Sequence, residues 1–182
     1  MDVGFENAGI KVLLANEIDK MASKTFIENH PDTKMIVDDI NNIFPMLEEY
    51  KGVDIVFGGP PCQGFSVIGK MDPEDIRSQL IWSFLKAVEI IQPRAFVMEN
   101  VKALAAIAKW KNVREEFIAK AKELGYGCIP FVVNAAEYGT PQKRERVFLL
   151  ELEEWKSLEI SFLNYYISKR VKHQRYENYS RI

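Results

Sequence analysis

The chain has 182 residues, of which 47% are hydrophobic, 12% aromatic and 27% charged, with a formal net charge of -2. An apolar, nearly neutral chain of this size excludes intrinsic disorder and fits one domain that buries roughly 70% of its unfolded surface without crosslinks. Two cysteines exclude a disulfide framework and fit free thiols in a reducing cytoplasm, no apolar run approaches the ~18 residues of a membrane span, and residues 1–9 lack the apolar block of a signal peptide.

The predicted elements alternate strand and helix with short connections, which predicts an α/β fold with a mostly parallel sheet. Residues 10–15 read as a buried strand, 18–29 as a helix stopped by His30 and Pro31, and 35–37 as a short strand ending at Asp38 and Asp39. Residues 53–57 form a strand that runs into Gly58-Gly59-Pro60-Pro61, with a loop following to about Asp72. Ile76, Leu80, Ile81, Phe84, Leu85, Val88 and Ile91 fall at helical spacing, in a helix that starts near Pro73, is capped by Asp72 and ends at Pro93. Residues 95–98 form a strand that delivers Glu99 and Asn100. A helix over 113–124 stops at Gly125, and strands follow at 129–134 and 147–152.

Charge is unevenly spread. Residues 1–154 hold 18 Lys and Arg against 24 Asp and Glu, whereas residues 155–182 hold 6 against 2. The body is acidic, so any phosphate contact must come from local basic clusters. The domain boundaries expected are a core over 1–152 and a basic, tyrosine-rich tail over 153–182.

In open α/β sheets, functional groups gather beyond the carboxyl ends of the strands. Four such ends carry polar residues: Asn16-Glu17-Ile18-Asp19, Asp38-Asp39, the segment 58–66, and Glu99-Asn100. Around Cys62, glycines and prolines hold a stiff backbone on which a thiol can approach a substrate closely, the thiolate being its reactive form. A free cysteine is more often a core residue, the role expected for Cys128 inside its apolar strand. Glu99 follows four apolar residues, and a carboxyl so placed suits a proton donor near neutral pH; the plainer alternative is an acid capping a loop amide. Arg144 and Arg146 are two residues apart and share a face if extended, although a solvated charged edge is common. Glu17 and Asp39 are placed to accept hydrogen bonds from a ribose and an amine. His30 is expected at a helix end and His173 in the basic tail. With two cysteines and two histidines widely spaced, no metal site is expected.

The Pro-Cys-Gln loop at 61–63, Glu-Asn-Val at 99–101 and Gln-Lys-Arg-Glu-Arg at 142–146 resemble the motifs of the DNA cytosine-5 methyltransferase family of bacterial modification type. The resemblance covers about residues 1–150. It implies a Rossmann-like S-adenosylmethionine-dependent methyltransferase fold and methyl transfer to C5 of cytosine in restriction–modification. By resemblance, Cys62 is the nucleophile that attacks C6 of the target base, and Glu99 is the acid that engages N3. Arg144 and Arg146 support the covalent intermediate and the nearby phosphate or loop. Gln142 heads that motif, and Asn100 orders the Pro-Cys loop together with Gln63 and Ser66. Glu17 matches the acid that binds the cofactor ribose, Ile18 packs on the adenine, Asp39 and Ile40 lie beside that ring, and Pro60 completes the cofactor side.

The implied partner is double-stranded DNA with the target cytosine flipped out, at a cost of a few kcal/mol. The implied location is the cytoplasm, with chromosomal DNA and without membrane or metal. Against the family pattern, the first strand and its glycine loop are expected to be missing, residues 1–9 resembling the helix after that loop. No target-recognition region is expected in about 30 residues beyond Leu152, since domains usually need about 50 or more. A complementary subunit carrying recognition is therefore an implied partner. A tRNA cytosine-5 methyltransferase and a non-catalytic remnant are the alternatives.

Overall fold

A computed structural model describes residues 1–61 and 76–153. Helix α1 (Asp2–Asn7) leads into strand β1 (Leu14–Glu17), helix α2 (Lys20–Asn29), strand β2 (Lys34–Val37) and helix α3 (Ile40–Leu47). Two aspartates start α2 and α3. Asp19 accepts from the amides of Met21 and Ala22 at 2.8 and 2.7 Å, and Asp39 accepts from Asn41 N at 2.8 Å. At the other end of α2, His30 is the C-cap. It is buried, stacks on Phe26, and its Nδ1 lies 2.9 Å from the Glu6 carboxylate, which fastens α1 to α2.

The second half comprises β3 (Ile55–Gly58), α4 (Ile76–Ile91), β4 (Ala95–Val101), α5 (Lys102–Ala106), α6 (Lys111–Glu123), β5 (Tyr126–Asn134) and β6 (Glu145–Glu153). Gly125 follows α6 with φ +96°, the left-handed C′ conformation that glycine adopts without penalty. The expected cap Asp72 and first-turn Pro73 of α4 lie outside the described residues, as does the tail from 154 onward.

The strands form two sheets. β1 and β2 pair in parallel, from Leu14 opposite Lys34 to Glu17 opposite Val37. The other sheet has the order β3-β4-β6-β5. In it β3 is parallel to β4, while β6 is antiparallel to both neighbours, so only β6 is reversed. Among the described residues, β1 and β3 each pair along one edge only.

Burial follows pairing. β4, flanked on both sides, buries Phe96, Val97, Met98 and Asn100, whereas β1 and β3 are half-buried throughout. The main core joins Phe84 and Val88 of α4 and Phe96 of β4 to Phe117 of α6, Tyr126, and Leu149 of β6. Phe96 meets Phe84, Phe117 and Tyr126 edge to face. The Tyr126 hydroxyl donates to the Pro93 carbonyl at 2.7 Å, so its polar end is satisfied inside the core. A smaller cluster packs Ile43 and Leu47 of α3 against Ala87 and Ile91 of α4. None of the described helices is long and apolar enough to cross a membrane.

Candidate active site

Three of the four strand ends predicted to carry function face a cleft of about 1330 Å³ whose lining includes Glu17, Ile18, Asp39, Ile40, Gly59 and Pro60. β1 delivers Glu17. Its Oε1 accepts from the amides of Ile18 and Asp19 at 2.8 and 3.0 Å, and among the described residues Oε2 has no such partner. Ile18 is 65% exposed, an apolar side chain left open at the rim. β2 delivers Asp39, whose Oδ1 accepts from both the backbone and the side-chain amide of Asn41. The rim thus offers two fixed carboxylates and one apolar surface.

Asn16, named above only as part of a polar strand end, and Asn41 and Ser83, not named there, hold this rim in place. Asn16 Nδ2 donates to the carbonyls of Ile36 and Asp38, at 3.1 and 2.9 Å, and locks the ends of β1 and β2 together. Asn41 fixes Asp39, and Ser83 of α4 donates to Asn41 Oδ1 at 2.8 Å. Asn16 had a visible signal, an amide side chain at a strand end. Asn41 and Ser83 had none, because their meeting depends on how α3 packs on α4.

Beside the cleft lies a second constellation. Arg146 Nε sits 2.8 Å from Glu99 Oε1, each side chain being 23% exposed. The sheet register brings them together: Arg146 is opposite Val101, and Glu99 lies two residues away on the same face of β4. Asn100 is 3% exposed; its Nδ2 donates to the Pro60 carbonyl at 3.3 Å, and its Oδ1 accepts from Val101 N at 2.8 Å. Strand β4 therefore holds the Gly59–Pro61 turn by a side chain. Gly59 joins the two regions. A Cβ added there would lie 3.2 Å from Glu99 Oε2, so a residue without a side chain lets the turn approach the carboxylate.

Arg144 and Gln142 are not brought to Glu99. Arg144 precedes β6, is exposed, and among the described residues engages Asn134 and Ala135 through its backbone. The Gln142 amide donates to the Thr140 carbonyl within an exposed turn. Cys62, Gln63 and Ser66 lie outside the described residues. Among the described residues, no group of three or more His, Cys, Asp or Glu is placed to hold a metal ion.

Comparison with known proteins gives the constellation a family. The model of the C-5 cytosine-specific DNA methylase family matches residues 1–182. The chain is 40% identical over 152 residues to the Type II methyltransferase M.AgeI of Thalassovita gelatinovora, covering 80% of this chain and 35% of that protein. It is 41% identical over 165 residues to the Type II methyltransferase M.AquIA of Picosynechococcus sp., covering 82% of this chain and 66% of that protein. Among solved structures, it is similar to a prophage-encoded protein of E. coli described as a DNA modification methyltransferase. That match has a TM-score of 0.70 and 31% identity over 86% of this chain and 44% of the other. The fold is also that of Spodoptera frugiperda DNMT2, with a TM-score of 0.67 and 24% identity over 84% of this chain and 46% of that one. The chain spans about a third to two thirds of the length of these relatives. It belongs to the C-5 cytosine-specific DNA methylase family.

Proposed function

We propose that the chain carries the catalytic core of a restriction–modification enzyme that transfers a methyl group from S-adenosylmethionine to C5 of a flipped cytosine in DNA. The observation that carries the reading is the juxtaposition at Gly59 of the carboxyl-end cleft and the Glu99–Arg146 pair.

The cleft residues fit the cofactor. A ribose diol needs carboxylate acceptors, which Glu17 Oε2 supplies. An adenine ring needs an amine acceptor and an apolar face, which Asp39 and the exposed Ile18 supply, with Ile40 and Pro60 in the same wall. When bound, the cofactor supplies an electrophilic sulfonium methyl group.

The chain's own residues then prepare the base. Cys62, one residue beyond the Pro60–Pro61 turn, adds as thiolate to C6 of cytosine; its electron pair makes the C–S bond and turns C5 into a nucleophile. Glu99, in its carboxylic acid form, donates a hydrogen bond to N3 of the ring and shares that proton with the negative charge that develops there as the thiolate adds. Arg146 holds the Glu99 carboxyl group in one orientation. Asn100, beside Glu99 on the same strand, holds the Gly59–Pro61 turn that precedes Cys62 in the sequence. Loss of the C5 proton and departure of the thiolate restore aromaticity. Arg144, exposed ahead of β6, meets a DNA phosphate. The enzyme acts in the cytoplasm, where chromosomal DNA lies, with target recognition supplied by sequence beyond these residues or by a complementary subunit.

Covalent trapping tests this reading. DNA containing 5-fluorocytosine blocks the final elimination, so the gene product with S-adenosylmethionine should form an adduct that survives denaturing electrophoresis. Peptide mapping should place the adduct on Cys62, and Cys62→Ser should abolish it. An adduct that persists in Cys62→Ser assigns the wrong nucleophile; no adduct removes the catalytic reading.

A further inference from the structure

Helices α3 and α4 meet along one stripe of each. Ala87 and Ile91 of α4 pack against Ile43 and Leu47 of α3. Ser83 lies one turn before Ala87 on the same stripe of α4, so the packing that buries those apolar residues also carries its hydroxyl to the start of α3. There Ser83 Oγ donates to Asn41 Oδ1 at 2.8 Å. Asn41 in turn donates twice to Asp39 Oδ1, from its backbone N–H and from Nδ2, each at 2.8 Å. The three residues form a relay from α4 to the rim of the cleft that Asp39 lines.

The relay has one workable polarity. A carboxylate only accepts hydrogen bonds, so Asn41 must turn its NH2 toward Asp39. Its carbonyl oxygen then faces Ser83, whose hydroxyl donates. Asp39 Oδ1 is thus occupied by two donors, while among the described residues Oδ2 has no hydrogen-bond partner. The carboxylate is held with a single open acceptor. Glu17 does not depend on this relay, because the amides of Ile18 and Asp19 hold its Oε1.

We propose that Ser83 and Asn41 are positioning residues that set base specificity at the cofactor site: by fixing Asp39 with one oxygen occupied and the other open, they make the cleft select a purine with an exocyclic amine. The proposal rests on the function proposed above, in which Asp39 accepts from the adenine amine. An amine donates to the open oxygen. A purine with hydrogen at that position leaves the oxygen unpaired, and one with a carbonyl sets acceptor against acceptor. Without the relay the carboxylate turns either oxygen to water, and the amine gains less over its absence. The ribose end, held by Glu17, binds as before.

Calorimetric titration tests this with S-adenosylhomocysteine and with its analogue bearing hydrogen in place of the 6-amino group. Both are titrated into the chain and into Ser83→Ala, Ser83→Thr, Asn41→Ala, the Ser83→Ala/Asn41→Ala double variant and Asp39→Asn. The unsubstituted chain should prefer the amine by about tenfold or more, the worth of a hydrogen bond to a charged group. Ser83→Ala and Asn41→Ala should each cut that preference about threefold or more, with affinity for the analogue unchanged. Ser83→Thr keeps the hydroxyl and should keep the preference. The double variant should lose no more than Asn41→Ala, since the two residues act in series. An unchanged preference, an equal loss for both ligands, or a Ser83→Thr variant that behaves as Ser83→Ala overturns the proposal. If Asp39→Asn keeps the full preference, or the chain binds neither ligand, the assignment of Asp39 falls and the proposal with it. Loss in Asp39→Asn beside no loss in Ser83→Ala overturns the relay alone.

Discussion

Replacing Glu99 by Gln and Arg146 by Met, singly and together, measures whether the strand-end ion pair acts as a unit. Arg146 Nε lies 2.8 Å from Glu99 Oε1 and both side chains are 23% exposed. Two unit charges about 4 Å apart attract by roughly 4 kcal/mol at an effective dielectric near 20, before desolvation is counted. Fully exposed pairs retain about 0.2–1 kcal/mol of such attraction, and breaking a buried pair costs about 3–5 kcal/mol. At a quarter exposed the pair lies between these limits. Each single substitution should destabilise the chain by about 1.5–3 kcal/mol, and the coupling between them should be about 1–2 kcal/mol. Because 1 kcal/mol corresponds to about 2–4 °C in Tm at this size, the singles are resolvable by both urea and thermal unfolding. Added salt should weaken this coupling less than that of the exposed Lys86–Glu89 pair. A coupling below about 0.5 kcal/mol refutes the argument, because the charges would then not be held together in solution.

Asn100→Ala removes a buried side chain that serves the Pro60 carbonyl and the Val101 amide. It should cost about 1–3 kcal/mol and speed hydrogen exchange at Gly59; unchanged exchange would mean that Asn100 does not hold the turn. Gly58→Ala places a Cβ 2.9 Å from Phe84 Cε2, a buried ring of the main core. It should cost about 1–3 kcal/mol in urea unfolding, and Phe84→Leu in the same chain should recover part of that loss. Asp19→Ala removes the acceptor for the Met21 and Ala22 amides and should lower stability by about 1 kcal/mol, with Asp19→Asn retaining most of it.

The strand ends were legible because apolar runs stop abruptly at polar residues, and those stops carry Glu17, Asp39, Gly58 and Glu99. Local chemistry also gave the α6 stop at Gly125, where only backbone freedom is involved. What the sequence did not reveal depends on packing and register. The strand expected at 10–15 is observed at Leu14–Glu17, because pairing with β2 sets its bounds and hydrophobicity does not. Helix α3 escaped notice because Pro45 sits inside it. One interior proline removes one helical hydrogen bond, and the Ile40, Ile43, Phe44, Leu47 stripe packing on α4 outweighs that loss. Arg144 and Arg146 read as equivalents two residues apart. Strand β6 begins between them at Glu145, so Arg146 enters the ladder and reaches Glu99 while Arg144 stays outside. The Glu99–Arg146 pair itself spans two strands, and no local pattern reports which residues a register sets face to face.

In the proposed function, the carboxyl-end cleft holds S-adenosylmethionine through Glu17. Calorimetric titration of the cofactor into the chain tests it, with Glu17→Gln titrated in parallel. The substituted side chain keeps an oxygen for the Ile18 and Asp19 amides but loses the charged acceptor for the ribose diol. One-site binding is expected, weakened about tenfold or more by Glu17→Gln, the worth of a hydrogen bond to a charged group. Equal binding by both proteins, or no binding by the folded chain, would contradict it.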